Sequence, residues 1–171
     1  VVLRGSAGAR LGVALPGPTF GSPSFGAGAG VLVGPWEVSA FGTVDPAYAL
    51  APPLAGFTML RFAVGVAIGR RAGLGPVFVD FGVSAMGAIS YPDGGNGSSS
   101  ESTVQLNSPG DPEPLMGLYA GFAYPRRSPL RLRTELSTDL VIYRSVLARQ
   151  SQPQLPQWST TASVGAEWEV P

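Results

Sequence analysis

Trp158-Ser159-Thr160-Thr161-Ala162-Ser163-Val164-Gly165-Ala166-Glu167-Trp168-Glu169-Val170 is the stretch on which the reading of this chain turns. Its even positions, Trp158, Thr160, Ala162, Val164, Ala166, Trp168 and Val170, are aromatic or aliphatic, Thr160 aside. Its odd positions, Ser159, Thr161, Ser163, Gly165, Glu167 and Glu169, are polar, small or charged. Successive side chains of a strand point to opposite faces, so the pattern gives a strand with one apolar and one polar face. Aromatic residues stand at both ends of the apolar face, and the polar face carries two carboxylates. An apolar face that looks outward therefore has to be weighed against the usual apolar interior.

The same period of two runs back through the chain. Residues 1–15 set Val1, Leu3, Ala7, Ala9, Leu11, Val13 and Leu15 against Arg4, Ser6, Gly8, Arg10 and Gly12. A second strand is expected over 24–33, a third over 36–44 with Phe41 breaking its alternation, and a fourth over 57–69. A fifth follows over 77–89, a sixth over 115–124 and a seventh over 130–143. Pro, Gly and small polar residues fill the gaps between them. The expected connections alternate in length: 16–23, 45–56, 90–114 and 144–157 are long, whereas 34–35, 70–76 and 125–129 are short. Eight antiparallel strands of 9–14 residues result, with no internal repeat and a single domain over residues 1–171.

Composition bears on which face looks outward. The 171 residues include 44% hydrophobic but only 13% charged ones, about half the usual charged share. No run of 18 apolar residues is present, so no transmembrane helix is available. The 24 glycines and 17 prolines argue against a helical protein. Under the alternation, one set of faces collects Arg4, Arg10, Glu37, Arg61, Asp80, Arg131, Arg133, Glu135, Asp139, Glu167 and Glu169, and the other collects no charge. A lipocalin-like barrel or a sandwich would put Trp36, Phe62, Phe81 and Phe122 inside with all the aliphatic residues, and eight strands leave little room for them. An apolar exterior around a glycine-rich, charge-paired lumen removes that crowding. It also closes every backbone hydrogen bond, as a bilayer requires. The expected fold is an all-β, eight-stranded antiparallel up-and-down transmembrane β-barrel, with outer-membrane lipid around it. Phe25 and Trp158 are expected at the outer rim and Trp36, Tyr124 and Trp168 at the periplasmic rim, as aromatic belts.

The run Ser163-Val164-Gly165-Ala166-Glu167-Trp168-Glu169-Val170 resembles the C-terminal assembly signal of bacterial outer-membrane β-barrels, with Ser163, Gly165, Trp168 and Val170 at its marked positions. Pro171 departs from it, since that family usually ends on the hydrophobic residue. Over essentially its whole length the pattern resembles the small OmpA/OmpX-type barrels. The resemblance implies a location in the outer membrane of a bacterium and recognition of the last strand by the barrel-insertion machinery. The chain starts directly on a strand pattern with no leader ahead of it, so a mature or trimmed form is expected.

Little in the sequence points to chemistry. All eleven basic residues are Arg, and there is no Lys, His or Cys. His-based acid–base or triad catalysis and thiol chemistry are thereby excluded. Zero net charge gives no general attraction for nucleic acid. Ser98 to Ser102 lie in an acidic stretch without a base. Asp93, Glu101, Asp111 and Glu113 lack the spacing of a Ca²⁺ loop. Gly26-Ala27-Gly28-Ala29-Gly30 is not followed by the helix and Lys of a phosphate loop. No cofactor and no enzymatic activity are expected. The expected role is structural or interactive: display of outer loops, or anchorage of a larger assembly with other envelope proteins. A narrow channel for ions or small solutes is the alternative. Barrel closure should bring Glu167 and Glu169 between Arg4, Arg131 and Arg133. Arg10 and Arg61 are then left to meet Glu135, Asp139 or Asp80. Thr134, Thr138 and Thr160 fall on the outward face, where a partner protein or simple lipid contact would explain them.

Overall fold

A computed structural model describes residues 1–13, 19–49, 58–93, 113–142 and 158–170. Its described residues form eight strands: β1 (Val2–Val13), β2 (Thr19–Val33), β3 (Trp36–Ala49), β4 (Thr58–Leu74), β5 (Val77–Asp93), β6 (Glu113–Tyr124), β7 (Leu130–Val141) and β8 (Trp158–Glu169). Each pairs antiparallel with the next, and β8 closes on β1. Closure gives every described strand a partner on both sides.

Most strands run further than composition indicates. β2 begins at Thr19 rather than 24, and β3 continues to Ala49 through the expected loop 45–56. Prolines caused the difference in these two strands. Pro23 and Pro46 stand opposite each other in the β2–β3 register, and the ladder is interrupted there between Phe25↔Val44 and Gly21↔Tyr48. Neither proline has an N–H to donate, so facing one with the other confines the lost hydrogen bonds to one place. Each keeps a pairing on its other side, Pro23 with Ala9 and Pro46 with Leu60. β4 reaches Leu74, β5 reaches Asp93 and β6 starts at Glu113, whereas β1 stops at Val13 and β7 at Val141.

At one end the connections are tight. Val33-Gly34-Pro35-Trp36 and Leu74-Gly75-Pro76-Val77 are two-residue turns with glycine φ values of 60° and 56°. Positive φ at the first central position is what a type II′ hairpin needs, and Gly supplies it without a Cβ clash. The third connection at this end is 125–129. Both ends of the described chain lie here too: the Val1 ammonium donates to the Val170 carbonyl at 3.1 Å.

The register sets the girth of the barrel. From Arg4, paired positions lead through Gly28, Phe41, Gly65, Met86 and Leu115 to Val141 on β7. In the other direction Arg4 pairs with Glu167 and Glu167 with Arg131, also on β7. The stagger is therefore 141 minus 131, or ten residues. With eight strands it gives a tilt of about 40° and a backbone radius of about 8 Å. A twelve-residue strand then rises about 30 Å along the axis, enough to cross the hydrocarbon layer of a bilayer.

Polarity is inside-out. Among the described residues, fourteen polar or charged side chains are buried and only six apolar ones, Val2, Ala63, Ala67, Ala88, Leu115 and Ala123. The large apolar residues are exposed all round the exterior, Val64 at 69%. Soluble monomers keep contiguous apolar patches to a few hundred Å², whereas here apolar side chains cover most of the described wall. This is the polarity of a transmembrane barrel. Inside, two rings need space. Phe41 keeps strand alternation and turns inward between its paired glycines, Gly28 and Gly65. Tyr119 is paired with Gly82, and a Cβ on Gly69 or Gly82 would strike its ring or hydroxyl. Ala63, Ala88 and Leu115, with Met86 and Val141 packed against them, fill the other end.

Candidate functional site

The lumen holds two layers of ion pairs. The layer near the tight turns centres on Glu167, which is fully buried. Its Oε2 accepts from Arg4 Nη2 at 3.0 Å and from Arg71 Nη2 at 2.6 Å, and its Oε1 accepts from Arg71 Nη1 at 2.9 Å and Arg131 Nη1 at 3.0 Å. Around it stand further acceptors. Glu37 takes Arg4 at 2.6 Å, Asp80 takes Arg133 at 2.5 and 2.9 Å, and Glu135 takes Arg133 at 2.6 Å. Glu169 takes Arg131 at 2.5 Å. Phe78 closes the layer at the mouth, with the guanidiniums of Arg71, Arg126 and Arg131 at 5.2, 5.3 and 4.8 Å from its ring centre. Buried charges persist only where each meets an opposite charge and a hydrogen bond, and Arg supplies paired donors in a fixed fork.

The second layer lies roughly 15 Å further along the axis by the tilt and rise of the strands. Arg10 donates to Asp45 at 2.9 Å, to Asp139 at 3.2 Å and to Ser159 at 2.5 Å. Arg61 approaches Asp45 at 4.0 Å. Between the layers is a cavity of about 130 Å³. Hydroxyls line much of it, among them Ser6, Ser84, Tyr119, Ser137 and Ser163, with Gly26, Gly28 and Gly165 between them. The carboxylates of the turn-end layer are held as acceptors of guanidinium hydrogen bonds, which suits structural charge pairing rather than proton transfer.

Glu167 and Glu169 thus meet Arg4, Arg131 and Arg133, though Glu169 reaches only Arg131 at hydrogen-bonding distance. Arg10 meets Asp139. Two expectations need correction. Asp80 belongs with the turn-end layer, because it lies four residues past Pro76 of the Gly75-Pro76 turn, on the rising β5. Glu135 is taken by Arg133. Two central residues, Arg71 and Asp45, fall in segments expected to be connections. Their signal was phase: Arg71 continues the odd positions of β4 from Arg61, and Asp45 continues those of β3 from Glu37. Arg70, next to Arg71, faces outward and, among the strand residues with described side chains, is the exception to the expectation that outward faces carry no charge.

On the exterior, Trp36, Tyr124 and Trp168 stand exposed at the tight-turn end, and Trp158 at the opposite end against Val13. Phe25 is exposed but not at a rim. β2 begins at Thr19, six residues before Phe25, so Phe25 pairs with Ala7 and Val44 in mid-strand. Thr138 accepts a hydrogen bond from Trp158 Nε1 and donates to the Ser159 carbonyl at 3.3 Å, so its hydroxyl is satisfied locally. In the terminal run, Trp168 faces outward and Gly165 lies at the β1–β8 seam, where a Cβ would strike the Gly5 carbonyl. Val170 extends the seam by donating to the Val1 carbonyl at 2.8 Å. Of the acidic candidates, Glu101 and Asp111 lie outside the described residues, as do Ser98 to Ser102. Asp93 and Glu113 end β5 and begin β6.

No family model and no curated protein sequence matches the chain. Solved structures do match it in fold. Neisserial surface protein A (NspA) superposes with a TM-score of 0.73 at 13% identity, over 99% of this chain and 96% of that one. A major outer membrane protein of Thermus thermophilus gives a TM-score of 0.54 at 14% identity, covering 97% and 98%. Ail, the attachment invasion locus protein of Yersinia pestis, gives 0.50 at 11% identity, covering 98% and 97%. The chain shares the fold of outer-membrane β-barrels.

Proposed function

We propose that this barrel sits in the outer membrane of a bacterium as a structural or interaction protein that displays its long connections outside or anchors an envelope assembly. The observation that carries this reading is the lumen: two layers of interlocked Arg and carboxylate side chains cross it, while the outward faces of the described strands are apolar but for Arg70 and a few Thr. Such a barrel serves as a scaffold, and what varies is what its connections hold. The last strand, with Gly165 and Trp168, is the part offered to the insertion machinery. No catalytic role is proposed, since no His or Cys is present and the lumen acids of the turn-end layer are all engaged by Arg.

The cavity between the layers supports a second reading, a narrow channel. Conductance across planar bilayers separates the two. The purified barrel should show no steady conductance, and Arg131→Ala or Arg133→Ala should introduce a leak. Steady conductance in the unmodified protein, unchanged in both variants, would make the channel the better account.

A further inference from the structure

Among the strand residues with described side chains, one charged group lies on the outward face: Arg70 of β4. It follows Phe62, Val64, Val66 and Ile68 in phase, and it is exposed. Its cross-strand partners are Trp36 on β3 and Phe81 on β5, both more than half exposed. No carboxylate within ion-pair distance serves it among the described residues: the neighbouring acids Glu37 and Asp80 point into the lumen, where Arg4, Arg71 and Arg133 occupy them. By strand tilt and rise, Arg70 lies within a few Å of the depth of Trp36, Tyr124 and Trp168. The 125–129 turn at the same end adds Arg126 and Arg127, both exposed. Arg126 is turned back over the mouth onto Phe78, while no ion-pair partner for Arg127 is found among the described residues.

A guanidinium on a lipid-facing wall has two ways to avoid an uncompensated charge in hydrocarbon. It can snorkel to water along its methylene stem, or it can meet an anion at headgroup depth. Here an indole flanks it at the level where headgroups begin. The guanidinium fork presents parallel N–H donors that match two oxygens of a phosphodiester. We infer that Arg70, with Trp36 beside it, forms a site for the phosphodiester headgroup of an anionic phospholipid in the leaflet at the tight-turn end. The lipid itself, rather than dissolved phosphate, is the occupant: the site opens sideways from the wall among apolar residues, so its ligand arrives with acyl chains alongside Ile68 and Phe81. Arg127, on the 125–129 turn two strands further round the same rim, adds positive charge to this end of the barrel; at the site itself the guanidinium of Arg70 is what favours headgroups with net negative charge over zwitterionic ones.

The inference rests on the membrane reading above, and its test keeps the two apart. Trp158→Phe and Trp168→Phe leave Trp36 as the reporter. The full chain is refolded into vesicles doped with chain-brominated phosphatidylglycerol or chain-brominated phosphatidylcholine, and Trp36 quenching is measured. Wild-type Arg70 should enrich the anionic lipid about fivefold at Trp36, the size expected of one cation near a lipid surface. Arg70→Gln should bring the two lipids close to parity, and Arg70→Lys, which keeps the charge but loses the fork, should fall between. Excess inorganic phosphate should leave the enrichment in place. Equal quenching by both lipids with Arg70 intact, or an enrichment that survives Arg70→Gln or disappears with inorganic phosphate, overturns the inference and leaves the barrel in the membrane. Absence of quenching by either lipid overturns the membrane reading itself.

Discussion

Glu167→Gln tests the lumen most directly, because it keeps the shape of the side chain and removes only its charge. In the folded barrel both carboxylate oxygens of Glu167 accept from guanidiniums, Oε1 from Arg71 and Arg131 and Oε2 from Arg4 and Arg71. An amide would turn an NH₂ group toward at least one guanidinium, donor against donor. Breaking a buried pair by neutralising one partner costs about 3–5 kcal/mol. Redundancy moderates this: Arg4 keeps Glu37, Arg131 keeps Glu169, and Arg71 keeps Asp80 at 3.1 Å. The expected loss is therefore at the lower end of that range, about 3 kcal/mol. Glu169→Gln is the internal control. Its side chain is 38% exposed and it serves Arg131 alone, so its loss should stay below about 1 kcal/mol. Urea unfolding of the vesicle-refolded barrel, followed by tryptophan emission, gives both values. If Glu167→Gln cost no more than Glu169→Gln, the turn-end layer would not be a cooperating network, and Glu167 would not be its centre.

Val64→Arg places a charge on the wall at mid-strand and should destabilise the barrel by about 2–4 kcal/mol in the same unfolding assay, with a neutral effect counting against lipid contact. Gly165→Ala puts a methyl group against the Gly5 carbonyl across the β1–β8 seam; it should cost about 1–3 kcal/mol and slow folding into vesicles, and an unaltered stability would mean the seam is looser than its register implies. For topology, a cysteine at position 101 should react with a membrane-impermeant maleimide on intact cells while one at Arg127 should not, and the opposite result inverts the orientation.

What was legible in the sequence was everything that depends on alternation. Period two, repeated eight times with charges in one phase and aliphatics in the other, sufficed for the strand count, the inside-out faces and which side of the wall Arg4, Glu37, Arg133 or Glu167 occupies. Length alternation in the connections told which ends share a rim. Strand ends were less legible, since Pro23 and Pro46 read as breakers until the register set one opposite the other. That error moved Phe25 to a rim and Asp45 into a loop, and the Gly-rich, basic run after Ile68 hid Arg71 and Arg70 in the same way. Partner choice was the part only the tertiary structure decided. A ten-residue stagger carries each strand along the axis relative to its neighbours, so residues equally far from their own turns do not share a depth. Asp80 meets Arg133 and Arg71, and Asp139 meets Arg10, because of that stagger and the tilt it imposes. Alternation along one strand says which face a side chain takes; closure of all eight says whom it faces.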